Sequence, residues 1–537
     1  MLWSDLRGRV RLPFARFVRF VRFVRFVRFV RFVSFVPFVA LCLASLAALV
    51  LVCGSARVAR ADGFTIFRGR AAAVLALDWQ GQDPAEDVAD LATRLDLDLR
   101  HPIDESSRVH LGARLSWRAL AGHRDGVPHV TADWPGFGLR YDAHAELREA
   151  TLEWLRPWGR LTLGNDVVAW GAVEAGSPLD ILNPKDFSLG FAAAGAGEPG
   201  SMALPDPMLR YERSFATGAL AVVYQPFFAG HRVSPFATDT AMLSPAAGPA
   251  LPSSLLVLTR SLDLRLDRQL GEALTTALEP PAATPLAGSV AARWRMRLGP
   301  VDVAIDAIEA WDRMPALVFD DDAATVLGAV GAAGFDQGAL ATAFLDPQVQ
   351  AAMGRLEATG KEPTDLVTAS WHRRTTLGLE VVAELGEGWM LRADFAFTLA
   401  KVLLDEDFVA FRSPLSQVAM TLEYAPDDAL VIVLLVTGDW IHRAPPGRGV
   451  FLMAEKELGV GGGLAWSFGD GQLWRLTLGG RHGVVLGDSV ATGRLGYRFD
   501  GGLDAGFGAL WLAGPPTSPA GLFRDNDQVV FDVQYPF

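Results

Sequence analysis

Cysteine is nearly missing from this chain. Of 537 residues only Cys42 and Cys53 carry a thiol, and both lie in an amino-terminal stretch that reads as a leader. Without that stretch there is none, which excludes disulfides, thiolate metal sites and a cysteine nucleophile together. Val52 stands before Cys53 where a lipoprotein signal needs a small residue, so lipidation is excluded too. Long apolar runs are also missing beyond the leader. The densest is Val431-Ile432-Val433-Leu434-Leu435-Val436, strand-sized and far short of the roughly 20 residues a membrane helix needs. No Gly-x-Ser-x-Gly elbow, His-Glu-x-x-His pair or P-loop is present. His101, His110, His123, His129, His144, His231, His372, His442 and His482 are scattered, and no paired carboxylates stand out. No catalytic residue, cofactor or metal site is expected, and the chain does not read as an enzyme.

The leader itself is unusual. Arg-Phe-Val repeats from Arg16 to Val33, and an apolar run follows from Phe35 to Val52. Ala59-Arg60-Ala61 is a small-x-small cleavage signature. Residues 1–61 are therefore expected to be a cleaved signal peptide, with the mature chain starting near Asp62. Cleavage removes eleven arginines and one aspartate, taking 49 basic and 61 acidic residues to 38 and 60, a formal charge of −22. That sign is wrong for binding phosphate backbones, so nucleic acid is excluded as a partner.

What is present is alternation. Val109, Leu111, Ala113, Leu115 and Trp117 share one strand face, with His110, Arg114 and Ser116 on the other. Trp389, Leu391, Ala393, Phe395, Phe397 and Leu399 oppose Arg392, Asp394 and Thr398. Leu95, Leu97 and Leu99 oppose Asp96, Asp98 and Arg100, and the face of Leu377, Leu379 and Val381 opposes Glu380 and Glu384. Charge of both signs on one face requires water there, while the other face requires lipid or a core. About half of the residues are apolar, and without membrane helices that composition fits a strand-built membrane protein.

Short turns such as Arg156-Pro157-Trp158-Gly159, Phe215-Ala216-Thr217-Gly218 and Leu385-Gly386-Glu387-Gly388 have the Gly and Pro content of hairpins. They alternate with longer connections near 121–142, 171–207, 229–286, 313–370, 441–455 and 513–525. Strands are expected to start near 65, 91, 108, 143, 160, 208, 219, 287, 301, 371, 389, 412, 429, 456, 472, 489, 501 and 526. The fold expected for 62–537 is all-β: a single closed antiparallel transmembrane β-barrel of about 18 strands, within a range of 16 to 20. Leu262, Leu264 and Leu266 alternate with Asp263, Arg265 and Asp267, a strand pattern inside a stretch drawn as a connection. Glu309 falls on the lipid face, which implies a bulge or a place near the rim. The Ala-rich stretch near 320–366 reads as a partly helical loop insertion.

The carboxyl terminus sharpens this. Val529, Phe531, Val533, Tyr535 and Phe537 lie on one face, with Asp532 and Gln534 on the other. The segment resembles the closing strand of bacterial outer-membrane barrels, and the resemblance implies that Phe537 is the signal read by the barrel-assembly machinery. A second resemblance lies within residues 145–230. Gly164, Trp170 and Gly171, then Asp180, then Asn183-Pro184-Lys185-Asp186 match the spacing of a porin-like outer-membrane barrel family of largely unknown function, related in architecture to alginate-export barrels. Where that family has Arg-Gln, this chain has Asn165-Asp166, so no family contact is implied there. Trp170, Gly171, Asp180, Asn183, Pro184 and Asp186 are the candidate constriction motif. Their turn chemistry favours a structural loop lock over a ligand site, with Asp180 and Asp186 able to bond nearby amides.

Candidate lumen charges include Arg114, Asp306, Arg392, Asp394, Arg475, Arg494 and Asp532. They set ion preference in a pore, or pair across strands and simply solvate it. Trp117, Trp311, Trp389, Trp440, Trp511 and Tyr535 are placed for aromatic girdles at the two interfaces. The expectation is a multi-pass barrel in the cell outer membrane, contacting its lipids and passing small solutes through a loop-constricted lumen. A non-conducting surface or export-scaffold barrel and an outer-membrane lipid hydrolase are the other readings. The transported solute is not named by the sequence. A homo-oligomer is compatible with it, although nothing marks a subunit interface.

Overall fold

In a computed structural model, residues 65–78, 87–122, 138–187, 202–232, 287–332, 337–359, 367–405 and 409–537 are described, short of positions 175, 516 and 525. The leader with its Arg-Phe-Val repeats, the cleavage signature and the Leu262–Asp267 alternation lie outside these residues. Strands β1 (Ile66–Asp78), β2 (Asp87–Asp104), β3 (Ser107–Gly122), β4 (Gly138–Arg156), β5 (Gly159–Asp166), β6 (Asp206–Phe215), β7 (Gly218–Gln225), β8 (Ser289–Leu298) and β9 (Val301–Trp311) form the first half of one sheet. A small hairpin, β10 (Ala316–Phe319) and β11 (Val367–Ser370), interrupts. The sheet resumes with β12 (Arg373–Gly386), β13 (Trp389–Leu404), β14 (Ala410–Tyr424), β15 (Leu430–Ile441), β16 (Lys456–Phe468), β17 (Trp474–Gly483), β18 (Ser489–Arg498), β19 (Asp504–Ala513) and β20 (Gln528–Pro536).

The sheet has 18 antiparallel strands, each paired to its neighbours in sequence, with β9 paired to β12 and β1 paired to β20. It is a closed barrel, and closure leaves the wall without an edge whose amides need water. Phe537 extends the seam: its N–H donates to the Gly69 carbonyl at 2.9 Å, and the Gly69 N–H donates back at 2.8 Å.

Alternation along the strands decides which residues face out. On β9, Ile305 is 53% exposed and its neighbour Asp306 is 1% exposed. On β15, Leu434 is 57% exposed. Large apolar side chains outside and carboxylates inside reverse the order of a water-soluble protein, as a lipid-facing wall requires. Register slips occur at two places in the wall that matter here: between Gly112 and Ala113 opposite β4, and between Thr398 and Lys401 opposite β14. At Glu309 the register runs without a break on both sides. Its place is the rim, two residues from the end of β9, where Arg373 pairs with it at 3.0 Å.

One end of the barrel carries the short turns, the start of β1 and the end of β20. There, Glu387 (φ 50°) and Gly388 (φ 83°) make a hairpin with both central residues left-handed. Aromatic pairs ring this end: Trp158 on Tyr211, Trp389 on Tyr424, Trp474 on Tyr497 and Tyr535 on Phe537. The other end carries the long connections. Trp440 stacks on His442 with Lys456 over its ring, and Arg373 covers Trp311. Trp511 is exposed on the outer face, and Trp117 is half-buried on β3. At this end β10 and β11 carry the β9–β12 hairpin past the rim, and between them lie helices α1 (Asp321–Ala332), α2 (Gln337–Phe344) and α3 (Pro347–Thr359). Arg355 of α3 ties back to Asp322 of α1 at 2.6 Å.

Removing Phe537 takes away two backbone hydrogen bonds of the seam and the ring over Gly69. The folded fraction after dilution into detergent, read as the heat-modifiable band on a gel, is expected to fall in a chain ending at Pro536.

Candidate functional site

The described part of the connection after β5 runs along the inside of the wall. Its path is set first by Asn183. The side-chain oxygen accepts the Val168 N–H at 2.8 Å, and its amide donates to the carbonyls of Asp166 at 3.2 Å and Leu204 at 2.9 Å. The three bonds staple the start of the loop to its return. Pro184 is buried beside it, and its carbonyl accepts the Leu204 N–H at 2.7 Å. The Asp180 carboxylate meets Lys185 at 2.9 Å. Asp186 lies 3.6 Å from Arg232, which also reaches Glu146 of β4 at 2.8 Å.

Beneath the loop the lumen wall is apolar. Val168, Trp170 and Leu182 pack on Met208, Val223, Ala291, Ile308 and Ala310, a small core inside the barrel. A lumen filled only by water would not tolerate that patch on four neighbouring strands; the loop is what covers it. Trp170 is buried there, with the Arg293 guanidinium 5.3 Å from its ring centre.

The far end of the loop is held by charge. The wall carboxylates of Glu380 on β12 and Asp394 on β13 accept three successive backbone N–H groups. Gly171 donates to Glu380 at 2.9 Å, and Ala172 and Val173 donate to the two oxygens of Asp394 at 2.8 and 2.9 Å. Asp394 stands six strands around the barrel from β5, a third of the circumference. Arg293 pairs with Glu380 and lies 3.4 Å from Asp306, so the buried acids share a cation. Gly171 has φ 112°, and a Cβ there would strike the Ser177 side chain and come within 2.9 Å of Asp394. Only glycine fits this turn.

A buried cation plugs the loop's root. Arg313, 1% exposed, donates to the Ala229 carbonyl at 2.6 Å, to Asp206 at 3.0 Å, to Gln225 at 2.9 Å and to the Leu182 carbonyl. Gln225 also donates to Leu182 at 3.1 Å. Nearby, the Lys185 N–H donates to Nδ1 of His231 at 2.8 Å. Burial, with Lys185 and Arg313 adding to it, pushes His231 down to about 3.

The remaining candidate charges lie on the open wall, mostly in pairs. Arg114 and Arg94 hold Asp96 at 2.6 and 2.9 Å, and Arg118 holds Asp90 at 2.6 Å. Arg392 faces Glu423 at 3.5 Å. Arg494 lies flat across β19, where Gly506 has no side chain to block it, and joins Asp532 at 2.6 Å and Asp504. Arg475 projects from β17 beside Ser467 and Gly496 and is exposed. The structure therefore brings Trp170, Gly171, Asn183, Pro184, Asp306 and Asp394 into one assembly and spreads Arg114, Arg392, Arg475, Arg494 and Asp532 over separate parts of the lumen. Arg313, Arg293 and Asp206 belong to the assembly without having been singled out from sequence, and Gln225 joins them. Glu380 had been placed on the inner face by alternation, but nothing in its neighbours marks it as an anchor.

No protein-family profile and no curated protein matches this chain. Solved structures similar to it include Pseudomonas aeruginosa OccK5 (OpdH), at 8% identity and TM-score 0.44, covering 88% of this chain and 98% of that one. The outer membrane channel DcaP of Acinetobacter baumannii gives 9% identity and TM-score 0.35, covering 88% and 97%. Salmonella typhi OmpF in complex with daunomycin gives 9% and 0.39, again covering 88% and 97%. The fold assignment rests on the strand pairing of this chain.

Two outcomes test the assembly. Asp394→Ala removes both acceptors of Ala172 and Val173, costing about 3 kcal/mol or more for two bonds to a charged group; faster protease cleavage within residues 167–182 is the expected readout. Arg313→Met leaves Asp206 buried without its cation and is expected to destabilise by about 3–5 kcal/mol, seen as a lower thermal midpoint in detergent.

Proposed function

We propose that this protein is an outer-membrane porin through which small hydrophilic solutes diffuse passively past a constriction formed by residues 167–187. The observation that carries this is the loop fixed inside a closed 18-stranded wall. A barrel of this size is wide enough to hold a channel, and here a third of the circumference is bridged by one loop rather than filled by a plug domain among the described residues. The short-turn end, with the start of β1 and the end of β20, faces the periplasm, and the long connections face outward, the arrangement usual for such barrels. The residue 1–61 leader directs export, and Phe537 marks the chain for the assembly machinery. The Trp170-Gly171 and Asn183-Pro184 motif acts as the lock that holds the constriction, in keeping with the porin-like family it resembles.

Selectivity follows from pairing. Among the described residues most guanidinium and carboxylate groups of the open wall are paired, Arg475 being exposed, so this part of the lumen presents little uncompensated charge of either sign. Weak ion preference is expected, with discrimination by size at the loop. Opposed pairs also screen each other, which leaves conductance nearly proportional to salt.

Purified protein in planar bilayers is expected to conduct in discrete steps, with Asp394→Ala combined with Glu380→Gln giving larger and noisier steps. A folded barrel that inserts and passes no current would remove the porin reading in favour of a surface or export scaffold. Acid supplies a second handle. Because His231 is neutral in the fold down to about 3 and titrates at 6.5 when unfolded, the open loop binds more protons between those values, so the loop's closed state weakens as pH falls through that window and is unaffected above it. Current noise is expected to grow on acidification from pH 7 to 4, and the growth to shrink in His231→Gln.

A further inference from the structure

One cluster on the lumen wall is used by neither the loop nor the pore. Asp98 of β2, His110 of β3 and Glu149 of β4 each present one ligand atom, and the three atoms lie within 4.8 Å of one another. Nε2 of His110 touches Oδ2 of Asp98 and lies 3.1 Å from Oε2 of Glu149. Two backbone features bring them together. The register slip opposite Gly112 inserts Arg148 as an extra residue in β4, which turns Glu149 toward β3. Gly112 lies between and leaves the space open; a Cβ there would come within 3.3 Å of the Glu149 Cβ.

The chemistry of the set is that of a metal site. One imidazole nitrogen and two carboxylate oxygens converge from three adjacent strands of a rigid wall, and the side chains keep 21 to 31% of their surface open. An ion can therefore enter from water and keep water on its free side. With neutral imidazole the trio carries two negative charges, which a divalent ion balances. Arg100 lies 3.2 Å from the other Asp98 oxygen, Oδ1. Oδ1 has no hydrogen-bond partner, and Oδ2 is the oxygen turned to His110. Nitrogen and oxygen donors of this kind suit zinc, manganese, iron and cobalt rather than calcium or magnesium.

We propose that Asp98, His110 and Glu149 form a lumen-facing site for a divalent transition-metal ion of the zinc class. The site does not depend on whether the barrel conducts.

Isothermal titration of the folded, detergent-purified barrel with Zn²⁺ tests it. One saturable ion per barrel is expected, with affinity weakened about tenfold or more in His110→Ala, Asp98→Asn and Glu149→Gln. His482→Ala, whose imidazole contacts Ser489 six strands away around the wall, is expected to bind as the parent does. Co²⁺ loading should give visible absorption bands that the same three variants lose. Absence of saturable Zn²⁺ binding overturns the proposal, as does binding that survives both Asp98→Asn and Glu149→Gln; the imidazole would then be a cation bridging two carboxylates. Heat-modifiable mobility shows which variants are folded before titration, and the two isosteric carboxamide variants keep the test decisive if His110→Ala does not fold.

Discussion

The pairing of β1 with β20 is the constraint on which everything else in this molecule depends. In hydrocarbon an unpaired N–H or C=O costs several kcal/mol, so a spanning sheet is stable only if its last strand finds its first. Here nine residues of β20 register against β1, and Phe537 carries the seam one pair further. Closure then divides every strand between two media. Ile305 and Asp306, adjacent in sequence, differ in exposure by half of a side chain's surface because one faces outward and the other faces the lumen.

Closure also creates an interior, and the loop after β5 shows how such an interior is organised. The inner wall is not uniformly polar. Met208, Val223, Ala291 and Ile308 form an apolar floor, and Val168, Trp170 and Leu182 roof it. Beyond the floor the wall turns acidic, and the loop meets it with backbone amides rather than with cations. Amide donors cost no side-chain entropy to position, and they point where the chain goes. Arg293 then balances the acids from the side, and Arg313 satisfies the carbonyls and carboxylate at the root. The loop is thus fixed at both ends by buried polar groups and in the middle by hydrophobic packing. Such networks are costly to leave half-made, which makes the loop's position specific.

Much of this architecture was legible in the chain itself. Period-2 alternation gave the inner and outer faces, and Gly, Pro and Asp clusters gave the hairpin turns. The 18 expected strand starts fall within about five residues of the barrel strands, with β2 and β4 beginning earlier than expected. The site was less legible. Asn183-Pro184 stood out because turn formers carry local chemistry, and Asp394 because it was an acid on a strand face. The bond between that loop and Asp394 did not, since 222 positions separate Ala172 from Asp394 and no local pattern encodes a contact across a third of the barrel. Asp180 illustrates the same limit: its ion pair with Lys185 forms only once the loop has folded.

What the sequence alone determined was therefore the wall: strands with one face for lipid and one for water, their number, and the seam at the carboxyl terminus. These follow from spacing along the chain, because the pleat repeats every two residues whatever lies beside it. What only the tertiary structure decided was the furniture of the lumen. Which acids hold the loop, which arginine is buried and which charges neutralise one another depend on distances around a closed ring. The ring brings together residues that no short-range pattern connects.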